Sequence, residues 1–105
     1  MGEKKIRKSP VGARLKEARL REGLSQKGLG IKAGIDEFSS SARINQYERD
    51  KHVPDYQTAT RLAESLNIPV SYLFTEDDDL AEIVLKYYKS NRTKQNQIKK
   101  IFKEL

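Results

Sequence analysis

The 105-residue sequence has no cysteine, no tryptophan, one methionine, three prolines and a single histidine, His52. Without cysteine there is no disulfide framework and no thiolate metal centre. One imidazole is too few for a histidine cluster. No apolar run approaches the ~20 residues needed to span a bilayer. The first residues, "MGEKKIRKSP", contain neither the apolar segment of a secretion signal nor the serine or threonine of a myristoylation signal. A cytoplasmic protein with no cofactor and no membrane partner is expected. Alternating runs and β-branched clusters are also missing, so no strand is expected and the fold class is all-α.

What the chain has instead is charge, at 34% of residues, with a net +6. The excess is uneven. Residues 1–54 carry 13 Lys and Arg against 7 Asp and Glu, whereas residues 55–105 carry 8 of each. A basic half can be merely a soluble surface, or it can be a surface shaped for phosphates.

Helical periodicity divides the chain into seven segments. Residues 1–9 read as a flexible basic arm. Pro10 opens a helix with Val11, Leu15 and Ala18 inward, and Gly23 stops it. Ser25 caps "QKGLGIKA", in which Leu29 and Ala33 face inward; glycines at 28 and 30 suggest close backbone approach. One of Ser39 to Ser41 is expected to cap a third helix, "SARINQYE", after a long turn, "DEFS". Asp55 caps a fourth with Ala59, Leu62, Ala63 and Leu66 on one face, and a short fifth starts at Pro69. A helix follows "TEDDD" with Leu80, Ile83, Val84 and Tyr87 on a stripe. Thr93 is expected to cap the last, with Ile98, Ile101, Phe102 and Leu105 on its stripe. The expected division is the arm, a five-helix domain over 10–75, and a two-helix extension over 76–105.

The third segment is unusual: its outward residues are short and polar, where a solvated helix would show Lys and Glu. The order "EGLSQKGLGIKAGI…SARINQYERDKHVPD" resembles the helix-turn-helix of the lambda-repressor-like (Cro/cI, XRE) DNA-binding family over about residues 11–75. The resemblance rests on Leu24-Ser25-Gln26, the Leu29 and Gly34 spacing, Ile44, Tyr47-Glu48, and a proline six residues after that glutamate. It departs from the family in the longer turn and in Asp50, which stands where glycine is common and needs a left-handed backbone.

The resemblance implies an all-α transcriptional regulator, bacterial or phage-encoded, and gives the polar face a task. A helix in the major groove needs side chains that meet donors and acceptors on base edges. Candidate base readers are Ser40, Ser41, Ala42, Arg43, Asn45 and Gln46. Gln26, Lys27, Arg49 and Lys51, with Lys4, Lys5, Arg7 and Lys8 of the arm, are candidate phosphate contacts. Arg19 and Glu48 match a pair that, in the family, fixes how the third helix is presented. The arm can equally be a solvated tail.

Other chemistry fits poorly. Ser39 to Ser41 near His52 lack a third catalytic group and an oxyanion donor set, so no enzyme is expected. Glu76 to Asp79 suit the start of a helix better than a metal. The expected partners are double-stranded DNA and a second copy of the chain. The expected function is repression by operator occupancy, with Leu80, Ile83, Val84, Tyr87, Ile98, Ile101, Phe102 and Leu105 as the dimerisation set. The alternative is a protein-interaction module, such as an antitoxin masking a toxin, or a regulator answering an antirepressor.

Overall fold

Helix boundaries in this chain trace to capping side chains and to a few left-handed residues. The computed structural model describes residues 9–105. Over them it forms seven helices and no strand: α1 (Val11–Arg21), α2 (Gln26–Lys32), α3 (Glu37–Glu48), α4 (Tyr56–Ser65), α5 (Val70–Leu73), α6 (Asp78–Lys89) and α7 (Arg92–Lys103). Lys4, Lys5, Arg7 and Lys8 lie outside the described residues. Ser25 accepts a hydrogen bond from the Gly28 amide at 2.9 Å, and Asp55 accepts one from Thr58 at 2.7 Å. Each satisfies a donor that the first helical turn leaves open. Asp50 sits in the left-handed region at φ 61° and turns the chain out of α3.

Two boundaries differ from the sequence expectation. Asp36, not a serine, caps α3 by accepting from the Phe38 amide at 3.2 Å. "EFSS" is therefore the first turn of the helix rather than part of a long turn. Similarly, Asn91 caps α7 by accepting from the Lys94 amide at 2.9 Å, displacing Thr93 into the helix. Asn outranks threonine as a cap, and Asp36, equal in rank to the serines, stands upstream of them.

The core gathers the inward residues of α1 to α5, with Leu15, Leu29, Ile44, Leu62, Leu66 and Leu73 fully buried. A Cβ at Gly30 would lie 2.5 Å from the Ser40 Cβ. Only glycine lets α2 and α3 cross this closely.

Contacts of α1 continue past residue 75. The Arg14 guanidinium donates to the Thr75 carbonyl at 2.9 Å, the Glu76 carbonyl at 2.8 Å and Asp78 Oδ1 at 2.9 Å. Beyond this tie, α6 buries Ala81 and rests Val84 and Leu85 on the core. Leu80 and Ile83, expected on the same stripe as Val84, instead remain about half exposed. The inward edge of α6 is thus rotated from the stripe read in the sequence. No residue of α7 is buried. That helix is joined to α6 by Gln95, whose side-chain amide donates to the Tyr87 carbonyl at 2.9 Å.

Candidate nucleic-acid interface

Helices α2 and α3 are joined by residues 33–36 and held at a fixed angle by what lies between them. Ser40 is fully buried at the crossing, and its hydroxyl lies 2.8 Å from the Asp36 carbonyl and 3.0 Å from that of Ile35. At the other end of α3, Arg19 Nε donates to Glu48 Oε2 at 2.6 Å and Arg19 Nη2 to Oε1 at 3.0 Å. Arg19 also donates to the Leu24 carbonyl at 2.9 Å, ahead of α2. The bidentate bond to Glu48 holds the Arg19 guanidinium above its ordinary pKa, against the opposing effect of burial. Glu48's side chain is only 3% exposed. A charge so placed is satisfied by its partners or not at all.

Gln26 joins this network. Its amide donates to Glu48 Oε1 and to Asn45 Oδ1, each at 3.2 Å. Lys27 approaches Glu37 at 3.6 Å across the helix pair. With Ser40, Ile44 and Tyr47 buried, the opposite side of α3 carries Phe38, Ser41, Ala42, Asn45 and Gln46. Those five follow the i, i+3, i+4, i+7, i+8 spacing of one helix face.

Residues 12–79 match a family model described as a helix-turn-helix domain. The chain belongs to the helix-turn-helix family of transcriptional regulators. It is 35% identical over 68 residues to the HTH-type transcriptional regulator ImmR of Bacillus subtilis (strain 168), covering 65% of this chain and 50% of that relative. The chain thus spans half the length of this curated relative. The crystal structure of the transcriptional regulator BswR superposes with a TM-score of 0.85 at 44% identity, covering 90% of this chain and 94% of that one.

In helix-turn-helix proteins the second helix of the motif is the one that enters the major groove, and α3 occupies that position here. The stretch expected as a longer turn, "DEFS", is instead the cap Asp36 and the start of α3, from Glu37 on.

The structure brings Ser41, Ala42, Asn45 and Gln46 together on the outward face and removes two expected readers from it. Ser40 is internal, its hydroxyl committed to backbone carbonyls, so it cannot reach a base. Arg43 lies on the flank, donating to the Tyr47 hydroxyl at 2.9 Å with its guanidinium 6.0 Å from that ring's centroid. Gln26 also changes role. Both of its amide protons are engaged within the helix pair, leaving none for a phosphate. Arg49 and Lys51 follow α3 on exposed positions.

Phe38 stands on the same face, outside the set expected from sequence: a helix starting at the serines leaves it in a turn, whereas the cap at Asp36 puts it in the first helical turn, one turn before Ala42. Among the described residues no cluster of three or more metal-ligating side chains occurs, and no helix is long and apolar enough to cross a membrane.

Proposed function

We propose that the protein is a sequence-specific double-stranded DNA-binding regulator that represses transcription by occupying an inverted-repeat operator as a dimer. The observation that carries this reading is the outward face of α3: short polar side chains on a helix clamped by Arg19 and Glu48. Asn45 and Gln46 each offer an amide suited to adenine, and the Ala42 methyl suits thymine. Asn45 Oδ1 retains a second lone pair beyond its bond from Gln26, so that bond positions the side chain without consuming it. Lys27, Arg43, Arg49 and Lys51 supply cations around the reading face for phosphates.

Dimerisation is supported by need and by surface. One recognition helix specifies too few base pairs to find a site among genomic competitors, and two-fold symmetry doubles the contact. The extension carries the required apolar surface. Tyr87, Tyr88, Ile83, Phe102 and Pro69 border a groove of about 470 Å³, and Ile101 and Leu105 of the extension are exposed as well. This surface also favours a second reading, in which the extension engages a protein such as a toxin or an antirepressor.

Selection of genomic DNA fragments bound by the full-length chain tests the proposal. Enrichment of a few fragments sharing an inverted repeat, with half-sites about one DNA turn (roughly 34 Å) apart, is expected. No enrichment, together with a tight complex with another protein, would favour the second reading instead.

A further inference from the structure

One large apolar side chain stands on the reading face itself. Phe38 is 95% exposed, in the first turn of a twelve-residue helix. Its backbone is fixed: the Phe38 amide donates to Asp36 Oδ2 at 3.2 Å, the Ser40 hydroxyl donates to the Asp36 carbonyl at 2.8 Å, and Ser40 packs against Gly30 of α2. Nothing in the fold needs an aromatic ring here, because the ring touches no core residue and the cap uses only the backbone amide.

The ring's neighbours on the face are Ser41, Ala42 and Asn45, at i+3, i+4 and i+7. The acids at this end, which would repel DNA, already have partners. Asp36 accepts from the Phe38 amide and the Ser39 hydroxyl, and Glu37 faces Lys27 at 3.6 Å.

We infer that Phe38 is a specificity-determining residue that packs against thymine 5-methyl groups in the major groove, extending the reading face of α3 by one turn. The inference rests on the DNA-reading role proposed for α3. Thymine is the base that presents an apolar group in that groove, and phenylalanine is among the side chains suited to meet it. The first turn of α3 carries the ring beyond Ala42, so the contact lies at the edge of the half-site approached by the helix N-terminus. Asn45 and Gln46 read positions further along.

The test uses the full-length chain and a random-sequence duplex library, selecting bound sites with wild type and with Phe38→Ala. Wild type should enrich thymine at one or two edge positions of each half-site, and Phe38→Ala should lose that preference while keeping the rest of the motif. Synthetic duplexes of the enriched site with deoxyuridine replacing those thymines remove only the methyl groups. Wild-type affinity should fall about fourfold per methyl lost, from ~0.8 kcal/mol per buried carbon. Phe38→Ala should be indifferent to the replacement. An unchanged thermal midpoint is expected for Phe38→Ala, since the ring packs on nothing. Identical motifs and identical deoxyuridine responses in both proteins, with Asn45→Ala still altering the motif, would overturn the role of Phe38 and leave α3 as the reader. If the wild type enriches no sequence at all, the reading of α3 fails, and this inference with it.

Discussion

At the scale of single residues, Glu48 has the most demanding position. It accepts from two Arg19 nitrogens and from Gln26 while almost wholly excluded from solvent. Removing it strands the Arg19 charge, also largely buried. Glu48→Ala is therefore expected to cost about 3–5 kcal/mol, the range for breaking a buried pair. Chemical denaturation of Arg19→Ala, Glu48→Ala and the double variant should show strong coupling; additive losses would mean that the pair does not hold α3. Asp55 makes a pH-dependent contribution of known sign. Hydrogen bonds from Thr58, the backbone amide foremost, hold its carboxyl below the ordinary value. A depressed carboxylate stabilises the fold above its unfolded pKa, and the contribution is lost as pH falls through the folded value. Asp55→Asn keeps a capping side chain but removes the titration. It should flatten the acid side of the stability profile below about pH 4, measured by thermal midpoints across pH.

At the scale of elements, the α2–α3 crossing is set by Gly30 against Ser40. Gly30→Ala would drive a methyl into the Ser40 Cβ and Cα. A loss of about 1–3 kcal/mol is expected from overpacking, with the helix pair displaced. Calorimetry showing an unchanged midpoint would mean that the two helices can separate without cost. The same crossing shows what could be read from sequence. Apolar spacing within each segment gave the number and order of the helices and the inward residues of α1 and α4, because Val11, Leu15 and Ala18, and again Ala59, Leu62, Ala63 and Leu66, recur at helical intervals. Three consecutive serines hid the start of α3. Ser39, Ser40 and Ser41 are all capable caps locally, and only the tertiary contact with Gly30 shows that Ser40 is internal. The same ambiguity conceals Phe38, since a helix that begins at the serines cannot carry it. On α6, Leu80 and Ile83 fit an apolar period as well as Ala81 and Leu85 do. The choice between the two edges is made by the tie from Arg14 to Thr75, Glu76 and Asp78, which no local pattern displays.

At the scale of the whole molecule, the charge asymmetry and the uncovered extension are the features to test. The basic excess on residues 1–54 predicts affinity that falls with salt at a log–log slope of roughly −0.9 per phosphate contacted. Deleting residues 1–8 should make the slope shallower if Lys4, Lys5, Arg7 and Lys8 meet the backbone; an unchanged slope in binding titrations would assign them to a solvated tail. A chain ending at Ser90 keeps the Arg14 tie and the packing of α6 on the core and discards only α7, none of whose residues is fully buried. It should fold, sediment as a monomer at micromolar concentration and lose most operator affinity; a dimer of undiminished affinity would place the contact elsewhere. Whether the outward face of α3 reads sequence is decided by a specificity ratio. Affinity for an enriched site is divided by affinity for a scrambled duplex of the same composition, for wild type, Asn45→Ala, Gln46→Ala and Lys51→Ala. The ratio should fall about 5- to 150-fold, the equivalent of about 1–3 kcal/mol, for each lost bidentate contact of Asn45 or Gln46. Lys51→Ala should weaken both duplexes alike and leave the ratio unchanged. A ratio untouched by Asn45→Ala and Gln46→Ala but abolished by Lys51→Ala would show that α3 is not the reader.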